Sequence, residues 1–347
     1  MNNTINQAYL KTRASVMAGQ LIDATEVESY LHTPLQQLEK MFGLEGLSER
    51  GLSDAELNRT IERGLINTLM NELSILLRPL NGSARDILIY WSRKFELYNL
   101  KALIRGKLHN LPYDQIRESL HILPALISLP HEQLLRTENV PELLRQLEQT
   151  PYEGIARQAR RVFEEKNESF SLDVTIDHRY YTGLLKHARA CDSAEQPPLL
   201  RLIGSLIDRQ NLPWLLRYRL NYMLSPTETY YLMIPSGRQL QSDLLKQLVN
   251  MQEIEQMLEA LPAPLNDHLG ECTNIMEVEL AMGERLSYQA RRCLSFSPSA
   301  VTRALAYLML RELDLKRVFA IIQGRVLKLD EALIRQAADI NTEVRHV

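Results

Sequence analysis

Of the side chains in this 347-residue chain that could titrate, ligate or attack, few are spaced for chemistry. The densest grouping is Asp177-His178 with His187. His178 and His187 are nine residues apart on one predicted helix. Nine steps of about 100° make about two and a half turns, which puts the two rings on opposite faces and keeps them from sharing a metal. There is no HExxH and no repeated carboxylate pair at metal spacing. The three cysteines, Cys191, Cys272 and Cys293, are odd in number, far apart and without a CxxC pair. That argues against a disulfide framework or a zinc site and fits a reducing compartment. Cys191 and Cys293 read as small buried apolar groups.

The nucleophile and phosphate motifs are missing too. No GxSxG or Ser-x-x-Lys occurs, and Ser236-Gly237-Arg238 lacks the second glycine and the lysine of a phosphate loop. Tyr180-Tyr181 and Tyr230-Tyr231 fit one ring in the core and one at a rim better than base stacking, because no basic stripe interleaves with them. The expectation is a protein with no catalytic residue, no cofactor and no metal.

Charge narrows the partners. A net charge of -3 and a pI of about 6.3 give no electrostatic drive toward nucleic acid or an anionic bilayer. Residues 1–7 are polar, unlike a signal peptide. The longest strongly apolar run, Leu123 to Leu129, contains Pro124 and is far too short to span a membrane. Any membrane association is expected through a protein partner.

The elements that would position side chains read as helices throughout. Gly is scarce at 14, and the runs between breakers are rich in Leu, Glu, Gln, Arg and Ala. Ser53-Asp54-Ala55-Glu56 is a capping box, and Ser225-Pro226-Thr227-Glu228 and Thr150-Pro151-Tyr152-Glu153 add proline at the first helical position. Thr33-Pro34 and Ser297-Pro298 mark two further starts. Leu244, Leu248, Met251, Ile254, Leu258 and Leu261 fall on one face of a single predicted helix. No convincing period-two alternation flanked by turn residues appears, so the fold class is all-α.

Three segments repeat: Phe95 to Gly106, Ile207 to Tyr218 and Leu313 to Gly324. Asn99, Asn211 and Arg317 align, 112 and 106 residues apart. Asp173 to Ala188 and Ile275 to Arg291 also look related. The period exceeds that of solenoid modules, so three similar helical domains are expected: 1–110, 111–224 and 225–347, with Leu111-Pro112 and Ser225-Pro226 at the joints. Asn99 and Asn211 could cap helices, with Pro213 in a first turn, whereas Arg317 cannot cap in that manner. Arg105 and Arg217 are candidates for contacts between domains or subunits, or for solvated charges.

Trp91 to Gly106 (WSRKFELYNLKALIRG), Asp177 to Ala188 (DHRYYTGLLKHA) and Glu312 to Leu327 (ELDLKRVFAIIQGRVL) resemble the C subunit of the V/A-type rotary ATPases, known as the d subunit in the eukaryotic vacuolar enzyme. Tyr9 to Arg13 and Leu21-Ile22 are similar to the family's opening. The blocks occur in the family's order over essentially the whole chain. Arg317 in place of Asn, Gln323 in place of Arg, and Pro213 in the middle copy alone depart from the repeat and read as drift among duplicates. The resemblance implies three helical domains set as a funnel about a pseudo-threefold axis, on the cytoplasmic face of the membrane. The implied partners are the central-stalk subunits and the proteolipid ring, and the implied work is torque transmission without bound nucleotide. Two other readings remain at this point. One is a helical scaffold that binds peptides in a groove. The other is an all-α enzyme seeded on Asp177-His178.

Overall fold

A computed structural model describes residues 2–47, 51, 53–166, 169–234 and 237–340. Among them all extended secondary structure is helical. The helices run α1 Asn2–Ala18, α2 Ala24–His32, α3 Leu35–Met41, α4 Asp54–Leu77, α5 Gly82–Leu108 and α6 Tyr113–Glu118. They continue with α7 His131–Leu135, α8 Val140–Leu147, α9 Glu153–Lys166, α10 Ser169–Arg189 and α11 Gln196–Leu216, which passes into a π-helical turn, Arg217–Asn221. Then come α12 Pro226–Leu232, α13 Ser242–Leu248, α14 Ile254–Glu259, α15 Leu265–Leu269, α16 Ile275–Phe296, α17 Ala300–Val326 and α18 Glu331–Ala337.

The chain forms two compact units, Met1–Asn81 with Ser287–Val347, and Gly82–Leu286. In the first, α17 is the hub, packed on α1, α4, α18, α2 and α3. Its interior holds a polar knot: the Arg311 Nε donates to Glu72 (3.1 Å), the Tyr307 hydroxyl donates to the same carboxylate (2.7 Å), and Arg311 also donates to the Gln20 carbonyl (3.0 Å). In the second unit α10 packs on α9, α5 and α11.

Two of the expected helix starts hold as read. Ser53 and Ser225 each accept from the amide three residues on, while Glu56 and Glu228 reach back to the serine amides. The others shift by one or two residues. Ser297 spends its hydroxyl on the Ser299 amide (3.2 Å), so Ser299 becomes the cap of α17 and accepts from Thr302 (2.9 Å). The Thr150 hydroxyl closes a turn onto Tyr152 (3.2 Å), and α9 begins at Glu153. The helix begun at Thr33-Pro34 starts at Leu35. The single helix expected over Leu244 to Leu261 is two, α13 and α14. The Asn250 side chain donates to the Lys246 carbonyl (2.7 Å) and ends α13. The apolar spacing carries across the break because both short helices bury into one core, through Leu245, Leu248, Met257 and Leu258.

The sequence repeat is a repeat of long helices: α5, α11 and α17. Each ends on a left-handed non-glycine residue, Asn110 (φ 51°), Met223 (φ 54°) and Lys328 (φ 54°). That residue comes eleven positions after Asn99 and Arg317 but twelve after Asn211. The π turn at Arg217–Asn221 lies in this stretch and absorbs the added residue inside the helix. The same comparison explains two glycines. A Cβ on Gly106 would sit 2.6 Å from Ile116 Cγ1, and one on Gly324 2.6 Å from Ile334 Cγ1. α6 and α18 therefore lie directly on the long helices. In the middle copy Tyr218 stands where the glycine does, and the fully buried Thr229 stands where the isoleucine does.

In an open helix Gly→Ala stabilises by about 1 kcal/mol. Gly106→Ala is expected instead to destabilise by about 1–3 kcal/mol, because the new methyl overpacks Ile116. In denaturant unfolding, Gly106→Ala with Ile116→Ala should cost clearly less than the sum of the single changes. Strict additivity would count against this packing.

Candidate functional site

The aligned repeat residues sit in helix interiors. Asn99 lies within α5 and Asn211 within α11, both fully buried, so neither caps a helix. Pro213 is likewise inside α11, not in its first turn. The amides are used sideways. Asn99 Oδ1 accepts from the His121 amide (2.7 Å), and its Nδ2 donates to the His121 carbonyl (3.0 Å), 22 residues downstream. Asn211 makes the same two-way pair with Ile234, 23 residues downstream (3.0 and 2.9 Å). A side-chain amide thus imitates a strand neighbour for one residue of a buried loop, satisfying a donor and an acceptor that have no helix to join. Arg317, at the third position, pairs with Asp339 (3.1 Å), 22 residues downstream. A charged contact replaces the neutral one at the same span.

The residues that sequence reasoning passed over lie three positions earlier. Glu96, Asp208 and Asp314 precede Asn99, Asn211 and Arg317 by one turn, and all three are buried. Glu96 accepts from the Leu129 amide (2.9 Å), from the Asn99 side chain (2.9 Å) and pairs with His131 Nε2 (2.6 Å). Asp208 accepts from the amides of Gln239 (2.8 Å) and Leu240 (3.0 Å). Asp314 accepts from the amide of Ile22 (3.0 Å), at the other end of the sequence. Leu129, Leu240 and Ile22 each begin the approach to a short helix, α7, α13 and α2 respectively. A cation eight residues after the aligned position closes the far end in two copies. Lys107 donates to the carbonyls of Leu135 (3.0 Å) and Thr137 (2.5 Å) as α7 ends. Arg325 donates to the carbonyls of Tyr30 (3.1 Å) and Thr33 as α2 ends. The N-terminal segment therefore supplies to α17 the loop and helix that α5 and α11 take from downstream sequence. The signal was legible as an acid at i−3 in every copy.

Arg105 and Arg217 point elsewhere. Arg105 reaches Asp173 (3.8 Å) and Arg217 reaches Glu279 (2.7 Å), both solvent-accessible pairs to α10 and α16. Exposed pairs of this kind contribute about 0–1 kcal/mol. The third copy carries the uncharged Gln323.

The histidine and cysteine candidates are engaged structurally. Asp177 pairs with Lys101 (2.5 Å), and burial raises its carboxyl against that cation. Burial lowers His178, and burial also lowers His187, whose ring lies 4.3 Å from that of Tyr90. Burial pushes the Cys191 thiol up to about 11, away from a reactive thiolate. No metal-binding group of His, Cys, Asp or Glu occurs among the described residues. No helix among them is long and apolar enough to cross a membrane.

Asp208 gives this arrangement a pH signature. Burial raises its carboxyl to about 6, against backbone N–H bonds that lower it. The folded chain then holds this proton more tightly than the unfolded chain, so the stabilisation is complete below the unfolded value and is lost as pH rises through about 6. Two pK units correspond to about 3 kcal/mol as an upper bound. The excess stability of wild type over Asp208→Asn should therefore shrink between acidic and neutral pH in urea unfolding. A difference that is flat across that range would contradict the assignment.

Comparison with known proteins places these features in context. The family described as the ATP synthase (C/AC39) subunit matches residues 10–337. The C subunit of the A-type ATP synthase of Methanocaldococcus jannaschii is 22% identical over 345 residues, covering 94% of this chain and 85% of that protein. That of Methanosarcina barkeri is 23% identical, covering 96% and 93%. That of Thermococcus kodakarensis is 26% identical, covering 76% and 70%.

Proposed function

Because the chain belongs to the ATP synthase (C/AC39) subunit family, we propose that it is the rotor adaptor of a V/A-type ATPase. It is a non-catalytic subunit of that complex. It joins the central stalk to the proteolipid ring and carries torque between ATP hydrolysis or synthesis and H⁺ or Na⁺ transport. It lies peripherally on the cytoplasmic face, and its three repeat modules, built on α5, α11 and α17, surround a pseudo-threefold axis as a funnel that receives the stalk.

The observation that carries this reading is the family match over residues 10–337, with archaeal relatives of the same family spanning nearly the whole chain. The local physics supports it. The buried carboxylates with the most chemical potential, Glu96, Asp208 and Asp314, are committed to backbone amides. An element that passes torque has to resist shear between its helices. Buried polar contacts of fixed geometry, set in a close-packed interior of low compressibility, supply that resistance.

Reconstitution tests the proposal. A membrane sector stripped of this chain is combined with the catalytic head and stalk, and ATP-driven ion uptake is recorded with and without the chain. Pumping and stable head attachment are expected to require it. Equal coupling without it would refute the adaptor role.

A further inference from the structure

The middle repeat carries a cavity lined by positive charge. A cavity of about 520 Å³ opens between the end of α10, the start of α11 and the loop before α13. Its apolar floor is Leu185 and Leu200, and three arginines line it: Arg189, Arg201 and Arg238. Among the described residues Asp243 is the one acid in the lining, and it pairs with Lys246 (3.2 Å). Arg238 is set by the clamp described above. Its amide donates to the Gly204 carbonyl (3.3 Å), and the next two amides are held by Asp208. A Cβ on Gly204 would meet the Arg238 backbone nitrogen at 3.1 Å, so the glycine lets this loop lie on α11. Arg189 and Arg201 are exposed, and no ion pair joins either to a carboxylate among the described residues. Counted from the buried acid, the position of Arg201 is held by Ile89 in the first repeat and by Tyr307 in the third. Counted from Leu240, that of Arg238 is held by Ile127 and Gln20. Neither of these two positions is basic in the other copies.

We infer that this cavity is a docking groove for a glutamate-bearing segment of a protein partner. A guanidinium fork matches a planar carboxylate in bidentate geometry. The leucine floor matches the aliphatic stem that carries a glutamate carboxylate. A polyphosphate fits less well, since no glycine-rich cradle of amides lines the cavity among the described residues. Arg285, donating to the Gln239 side chain (3.0 Å) beside Arg238, adds to the crowding of positive charge. Burial first, and then Arg238, lower its pKa, while Asp208 raises it. The inference rests on the adaptor reading for the partner being a protein of the same assembly, and it names the chemistry of one contact.

The test uses the full chain and a fluorescein-labelled glutamate-rich peptide, followed by anisotropy at low and at physiological salt. Wild type is expected to bind, more weakly as salt rises. Arg189→Glu with Arg201→Glu should weaken binding about tenfold or more, and Asp243→Asn should tighten it about two- to fivefold. If the reversed pair fails to fold, Arg189→Gln with Arg201→Gln gives the same readout with a smaller loss. Unchanged affinity in the folded variants would overturn the inference. So would inorganic pyrophosphate or anionic phosphatidylglycerol vesicles displacing the peptide at equal charge, since the site would then be a phosphate site. If the peptide fails to bind while ion pumping still requires the chain, the groove falls and the adaptor reading stands. If the peptide binds and pumping is indifferent to the chain, the reverse holds.

Discussion

A buried loop cannot leave its amides and carbonyls unpaired, and this constraint organises each repeat. The long helices α5 and α11 are each followed by a connecting stretch that dips into the interior before its next short helix. The long helix pairs that stretch with its own side chains: an acid for the incoming amides, an asparagine for a two-way bond, and a cation for outgoing carbonyls. Each buried donor or acceptor left unmet costs about 1–3 kcal/mol, so the devices are tightly constrained once the loop is buried. The acid recurs in all three copies, while the other two members vary.

The third copy shows the logic most clearly. No described residue after α18 donates an amide to Asp314, and the amide comes from Ile22 instead. α2 then occupies the place that α7 and α13 hold for the other long helices, with Arg325 closing its end as Lys107 closes that of α7. Ile22 and α2 near one end of the sequence thus serve α17 near the other as Leu129 and α7 serve α5.

Much of the fold was legible. Helix class followed from composition, caps and the missing alternation, and Ser53 and Ser225 gave two helix starts to the residue. The three long helices were legible as aligned segments. What failed did so for identifiable reasons. Asn99 looked like a cap because asparagine is a good one, and only tertiary structure shows that its amide faces a loop 22 residues away. The break between α13 and α14 was hidden because two short helices sharing a core keep a helical apolar spacing across the gap. Glu96, Asp208 and Asp314 were visible as an i−3 acid but look like surface charge until burial is known. Arg105 and Arg217, read as contacts between domains or subunits or as solvated charges, form solvent-accessible pairs with Asp173 and Glu279, each in the next of the expected stretches of sequence.

A chain built on such clamps gains stiffness, which fits the proposed adaptor role. Rotation of the chain itself tests that account most directly. A bead fixed to this chain is observed in single immobilised complexes while the head hydrolyses ATP. The account predicts that the bead turns with the stalk, in the same direction and at the same rate. A bead that stays still while the stalk turns would contradict it.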